Sequence, residues 1–218
     1  MAERRPKPDR RLLKALTDRY SRGAIVIIGT TDVVGRAIRE GQRKLTPDGE
    51  PSRWSHCFLC GETRLTLDAQ GRKQVRKPYI FESDLNVELD RTSVRNGAQE
   101  NRLSKWCRST VEHCAVIDTG LTGKQADRVL AAALHLVDRQ VRYPVQDLVG
   151  TWLAIVNSRL WRANPLKSRN AMYCSAYVRH CYRRAGRDFV PGSVNLSNTA
   201  PEHIARHAAD RGFLEEIR

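Results

Sequence analysis

The sequence predicts an α+β fold, a small antiparallel sheet packed against helices. Strand-like apolar runs and helix-like periodicities are mixed along the chain without a regular βαβ rhythm. The 218 residues are enough for one domain with a sizeable core, or one domain with short extensions. With 40% hydrophobic and 28% charged residues, the chain reads as folded rather than disordered.

Taken in order, residues 1–10 form a basic, proline-bearing tail. Leu12, Leu13, Leu16 and Tyr20 follow at helical spacing, so a tail and short amphipathic helix over 1–22 precede a domain over 23–218. Gly23 breaks that helix, and Ala24-Ile25-Val26-Ile27-Ile28 reads as a buried strand ended by Gly29. Thr30, Thr31 and Asp32 offer N-caps for a helix to about Arg39, with Val33, Val34, Ala37 and Ile38 expected inward. Residues 41–53 are loop, and Trp54 to Cys60 is a second strand. Thr63 to Glu82 reads as a basic hairpin turning at Asp68-Ala69-Gln70-Gly71 and returning to the core at Tyr79-Ile80-Phe81.

Residues 84–105 are polar and give no clear element, whereas Val111 to Ile117 predicts another strand. Thr122 and Gln125 form a capping box for a helix to about Gln140, with Ala126, Val129, Leu130, Ala133 and Val137 as its apolar stripe. A further helix is expected over Asp147 to Leu160. Asn170 caps one from Ala171 to Ala185, closed by Gly186, and Thr199 with Pro201 opens the last.

The formal net charge of +14 favours polyanions: nucleic acid, anionic lipid or an acidic cell-wall polymer. A solvated basic surface gives the same count, and no nucleic-acid module interleaves the 6% of aromatics with the charge. No apolar run reaches the roughly 18 residues that span a bilayer. Met1 to Arg11 is basic but lacks a following apolar segment of signal-peptide length. The expectation is a cytoplasmic protein, or one exported by a route other than a general signal peptide.

Six cysteines, at 57, 60, 107, 114, 174 and 181, argue for free thiols rather than a disulfide framework in a chain of this length. Cys174 falls in the first turn of a predicted helix, where unpaired amides and the helix dipole stabilise a thiolate and can hold an oxyanion. The alternative is a structural thiol on an apolar stripe, a description that fits Cys181, two turns deeper. A thiol nucleophile needs a base, usually imidazole, held by a third polar group. Of the six histidines, His56 lies within a short strand after a loop. His113 precedes Cys114, His135 is mid-helix, His180 is on the cysteine helix, and His203 and His207 share a late helix. Cys57, Cys60, Cys107 and Cys114, with His56 and His113, also permit a zinc reading. However, a strand over 54–60 points Cys57 and Cys60 to opposite faces.

Several motifs fall in a suggestive order. These are Ile38-Arg39, a loop, then Trp54-Ser55-His56; Tyr79-Ile80-Phe81-Glu82; Tyr143 after the long helix; Tyr173-Cys174-Ser175-Ala176-Tyr177-Val178 with Ala185-Gly186; and Thr199-Ala200-Pro201. Together they resemble the circularly permuted NlpC-type papain-like cysteine amidases and peptidases, from about residue 23 to 206. Arg22-Gly23-Ala24 departs from the pattern, since that family tends to have Gly-Asp there.

The resemblance implies a papain-like domain over 23–218 with Cys174 as nucleophile, His56 as base and Glu82 as the group that orients the imidazole. It places Tyr143 and Tyr173 near the substrate, Tyr143 being equally well a core residue, and it implies neither cofactor nor metal. The implied reaction is hydrolysis of an amide, with peptidoglycan peptide stems as one substrate class. An antibacterial effector of that kind would need a neutralising (immunity) partner. Lipid amidases and acyltransferases share the fold, but their usual signature around the cysteine is not what Tyr173, Ser175 and Ala176 supply. A basic, non-enzymatic polyanion-binding module is the remaining alternative.

Overall fold

Ile25–Thr30, with all six residues buried, forms β1 inside a six-stranded sheet of order β4-β3-β2-β1-β5-β6. The other strands are β2 (His56–Leu67), β3 (Gln74–Glu88), β4 (Ser93–Arg102), β5 (Val111–Ile117) and β6 (Leu214–Glu216), and every neighbouring pair is antiparallel. Five α-helices are present among the described residues: α1 (Arg10–Asp18), α2 (Val33–Gly41), α3 (Gly123–Asp138), α4 (Cys174–Arg184) and α5 (Pro201–Ala209). This computed structural model describes residues 8–67, 71, 74–88, 93–141 and 172–218. None of its helices is long and apolar enough to cross a membrane.

Strand alternation divides the core in two. On one face Ile25, Ile27, Cys57, Leu59, Phe81, Ala115 and Ile117 pack against α3, α4 and α5. On the other, Val26, Ile28, Phe58, Cys60, Ile80, Cys114 and Val116 pack against Leu12 and Leu16 of α1. The N-terminal helix thus covers the second face of the same sheet. Its cap is Asp9, whose side chain accepts from the amides of Arg11 and Leu12.

The capping box of Thr122 and Gln125 is present, but Leu136 rather than Val137 completes the fully buried stripe of α3. The inward face expected for α2 is wrong. Val33 is 76% and Val34 63% exposed, Ala37 is exposed, and Gly35 is the buried residue. A Cβ at Gly35 would lie 1.9 Å from Thr30 Oγ1, so the helix approaches β1 too closely for any side chain on that face. The second strand starts at His56 and continues into the hairpin, pairing from Thr63↔Pro78 to Leu67↔Gln74.

The polar stretch 84–105 holds the end of β3, all of β4 and the 3₁₀ turn Leu103–Trp106. The last helix is capped at Ala200 rather than Thr199, with His203 Nδ1 accepting from the Ala200 amide at 2.9 Å. The helix expected over Asp147 to Leu160, with Tyr143 and Asn170, lies outside the described residues.

Gly29 is a second forced glycine. A Cβ there would meet the Arg53 carbonyl oxygen at 1.8 Å, a backbone atom that cannot rotate away. Gly29→Ala is expected to lower stability by about 1–3 kcal/mol through this overpacking. The expected readout is a lower urea midpoint at unchanged m-value; an unchanged midpoint would show that the 53–55 segment yields freely.

Candidate active site

Helix α4 begins on Cys174 itself, three residues later than the sequence suggested, with Tyr173 at the N-cap and no side chain capping it. The first helical hydrogen bond runs from Tyr177 N to Tyr173 O at 2.9 Å. The amides of Cys174, Ser175 and Ala176 therefore lie ahead of the intrahelical ladder, at the positive end of the dipole.

Several contacts fix the helix. Ser175 Oγ donates to Thr199 O at 2.7 Å, Tyr177 Oη to Ala133 O at 3.1 Å, and Tyr182 Oη to Gly23 O at 2.8 Å. Arg179, 3% exposed, forks onto Asp188 and also donates to the carbonyls of Val190, Pro191 and Val194 and to Thr199 Oγ1. Tyr173, expected near substrate, is buried, and its hydroxyl donates to Ser197 O.

Strands β2 and β3 meet this helix at a fork. Among the described residues β2 and β3 pair from Leu59↔Phe81 outward, so His56 and Glu82 lie just beyond the ladder and meet through their side chains. His56 Nε2 is 2.9 Å from Glu82 Oε2. Donation to a carboxylate requires a proton on Nε2 and leaves Nδ1 to the Cys174 thiol, with which the imidazole shares a hydrogen bond. Ser83 Oγ donates to Met172 O and ties β3 to the residues that lead into the cysteine helix. The segment before His56 is anchored by Ser52 Oγ on Glu202 Oε2 at 2.6 Å and by Gln42 Nε2 on Trp54 O at 2.8 Å.

Glu82 is fully buried, and both of its oxygens are occupied. Oε1 accepts from Asn101 Nδ2 and Lys105 Nζ, each at 2.7 Å, while Oε2 accepts from Trp106 Nε1 at 2.7 Å in addition to His56. Lys105 also bridges to Asp84 Oδ2 at 2.7 Å. The Trp106 ring lies on the His56 imidazole, 4.5 Å between centroids and 35° between planes. Asn101, Lys105 and Trp106 had no sequence signal, because they reach Glu82 across 19 to 24 residues from a stretch whose pattern gives no clear element.

The electrostatics follow from this packing. Burial works to neutralise Glu82, but the Lys105 charge and the His56 hydrogen bond outweigh it and hold the carboxyl well below its usual range. Burial likewise works against charge on His56. The Cys174 thiolate, its hydrogen bond and Glu82 prevail, raising the imidazole to about 10.

All six cysteines are free thiols, and Cys174 is the one pulled down, by a hydrogen bond from Cys57 first and by the His56 charge against the cost of burial. Burial pushes Cys60, Cys107 and Cys114 up to about 12, and raises Cys181 as well. Cys57 lies in the core cluster of Cys174 and separately from Cys60, Cys107 and Cys114, so the four do not converge as zinc ligands.

An imidazolium–thiolate pair at the start of a helix is a nucleophile with its acid already in place. Cys174 is expected to react with iodoacetamide faster than the other five thiols at neutral pH, with a rate that climbs well below the free thiol value of about 8.5. His56→Ala should remove most of that advantage. Glu82→Gln should also cost tenfold or more, on the order of effects seen when a triad carboxylate becomes an amide that favours the wrong tautomer. Residue-resolved mass spectrometry against pH checks all three, and Cys174 reacting no faster than Cys181 would remove the nucleophile.

A comparison with models of known protein families matches none of them, and no curated protein matches the chain.

Proposed function

We propose that the protein is a thiol-dependent amidohydrolase or peptidase of the papain-like, circularly permuted NlpC type. One observation carries the reading: the first residue of α4, Cys174, shares a hydrogen bond with an imidazole that a fully buried carboxylate holds from its other side. In this mechanism Cys174 attacks the amide carbonyl, and amides of the first turn of α4 stabilise the oxyanion. His56 gives its proton to the leaving amine, then takes one from the water that hydrolyses the thioester. Glu82 stays ionised throughout and keeps the imidazole in one orientation.

The finer reading takes its substrate from charge. A protein of net charge +14 is drawn to anionic polymers, and peptide stems of murein are amides carried on such a polymer. On this reading the protein is an antibacterial effector. It is made in the cytoplasm, exported to act at a cell wall, and held in check in its producer by a neutralising protein.

Purified protein should release new amino groups from murein sacculi or model stem peptides, and Cys174→Ala should abolish that release. The pH profile of kcat/KM should be bell-shaped. Activity needs the Cys174 thiolate, which is present once pH exceeds its lowered value, and the His56 proton, which is lost as pH rises through about 10. No cleavage of any murein preparation would remove the substrate. Polyanion binding that persists in Cys174→Ala, with no amide cleaved by either protein, would favour the binding module instead.

A further inference from the structure

Cys57 forms and breaks no bond in this hydrolytic mechanism, yet it is the thiol grouped with the nucleophile. It follows His56 in β2, is fully buried, and packs in the same core cluster as Cys174. Cys57 is also the largest cause that draws the Cys174 thiol below its usual range. Cys60, Cys107 and Cys114 belong to the cluster on the other face of the sheet, and Cys181 lies two turns down α4, so among the six thiols Cys57 is placed to meet an oxidised Cys174.

We propose that Cys174 and Cys57 form a peroxide-reactive modification site, Cys174 being oxidised first and Cys57 resolving it as a disulfide. This rests on the reading of Cys174 as an activated nucleophile. The Cys174 thiolate attacks one oxygen of hydrogen peroxide, the O–O bond breaks, and the departing hydroxide takes a proton to become water. Cys174 is left as a sulfenic acid. The Cys57 sulfur then attacks Cys174 Sγ. The S–S bond forms, the S–O bond breaks, and the hydroxyl leaves with the Cys57 proton as a second water. Two thiols lose two electrons and the peroxide gains them.

Burial and the adjacent thiolate keep Cys57 protonated while the site is active. Oxidation of Cys174 to a neutral sulfenic acid removes the thiolate's contribution at the step where Cys57 must become the nucleophile. The disulfide occupies the catalytic sulfur, so it halts catalysis reversibly and shields Cys174 from the irreversible sulfinic and sulfonic acids.

The test treats the wild-type protein with stoichiometric hydrogen peroxide, then maps peptides without reduction. The expected result is a Cys57–Cys174 cross-linked peptide, loss of iodoacetamide labelling at Cys174, and full return of labelling after dithiothreitol. Cys57→Ala, checked for native circular dichroism, should instead carry Cys174 to sulfinic and sulfonic acids that dithiothreitol does not reverse. Rapid labelling of untreated Cys174 with no cross-link after peroxide overturns this proposal alone. Cys174 inert to both reagents overturns it together with the nucleophile.

Discussion

The Glu82 carboxylate is the constraint on which the rest of the site depends. A fully buried anion costs several kcal/mol in lost hydration even after the protein relaxes around it. Four donors meet it here, two of them on charged side chains. Hydrogen bonds to charged groups contribute roughly 1.5–3 kcal/mol each, enough in sum to offset that cost. The offset demands that β3, β4 and the 3₁₀ turn after β4 be held in register. Asn101 stands opposite Ile80, two residues from Glu82 along β3, and Lys105 and Trp106 come from the turn that follows. The imidazole inherits its orientation from this assembly, by the bond to Oε2 and by the Trp106 ring that covers it.

The second half of the site arrives from the opposite layer. Helix α4 is buried along most of its length, and Arg179 binds the 188–199 segment to it through carbonyls and Asp188. Tyr177 and Tyr182 end in hydrogen bonds to backbone oxygens of α3 and of the turn before β1. A helix fixed at so many points cannot rotate, so the position of Cys174 at its first residue is set by packing rather than by the ion pair. The fork between β2 and β3 is then where the two halves meet.

The elements read most easily from sequence were those with a local cause. The apolar run of β1, the capping box of α3 and the glycine-bounded cysteine helix each depend on residues a few positions apart. His56 and Glu82 were singled out only through the order of short motifs, whereas Cys174 also stood out locally, in the first turn of a predicted helix. What stayed illegible has a common physical origin. Positions in β3 and β4 that would carry apolar residues in an ordinary half-buried strand carry buried Glu82, Ser83 and Gln99, so no alternation shows. The α2 face was misread for the converse reason. Its valines suggested a core stripe, but contact with β1 is made by Gly35, where the absence of a side chain is the signal.

Charge distribution separates capture from chemistry. The Cys174 thiolate, the His56 imidazolium, Glu82, Asp84 and Lys105 come within one unit of cancelling, so the protein's positive charge belongs to the rest of the chain. Surface charge is screened over a Debye length of about 8 Å at physiological salt, whereas the buried pairs are screened much less. Whatever anion the surface collects, the thiolate owes its low proton affinity to Cys57, His56 and the helix start. Five other thiols in the same basic protein are pushed upward instead, all of them with burial as the dominant cause and no cation strong enough to reverse it. The lowered proton affinity of Cys174 is therefore a property of the fork and not of the protein's overall charge.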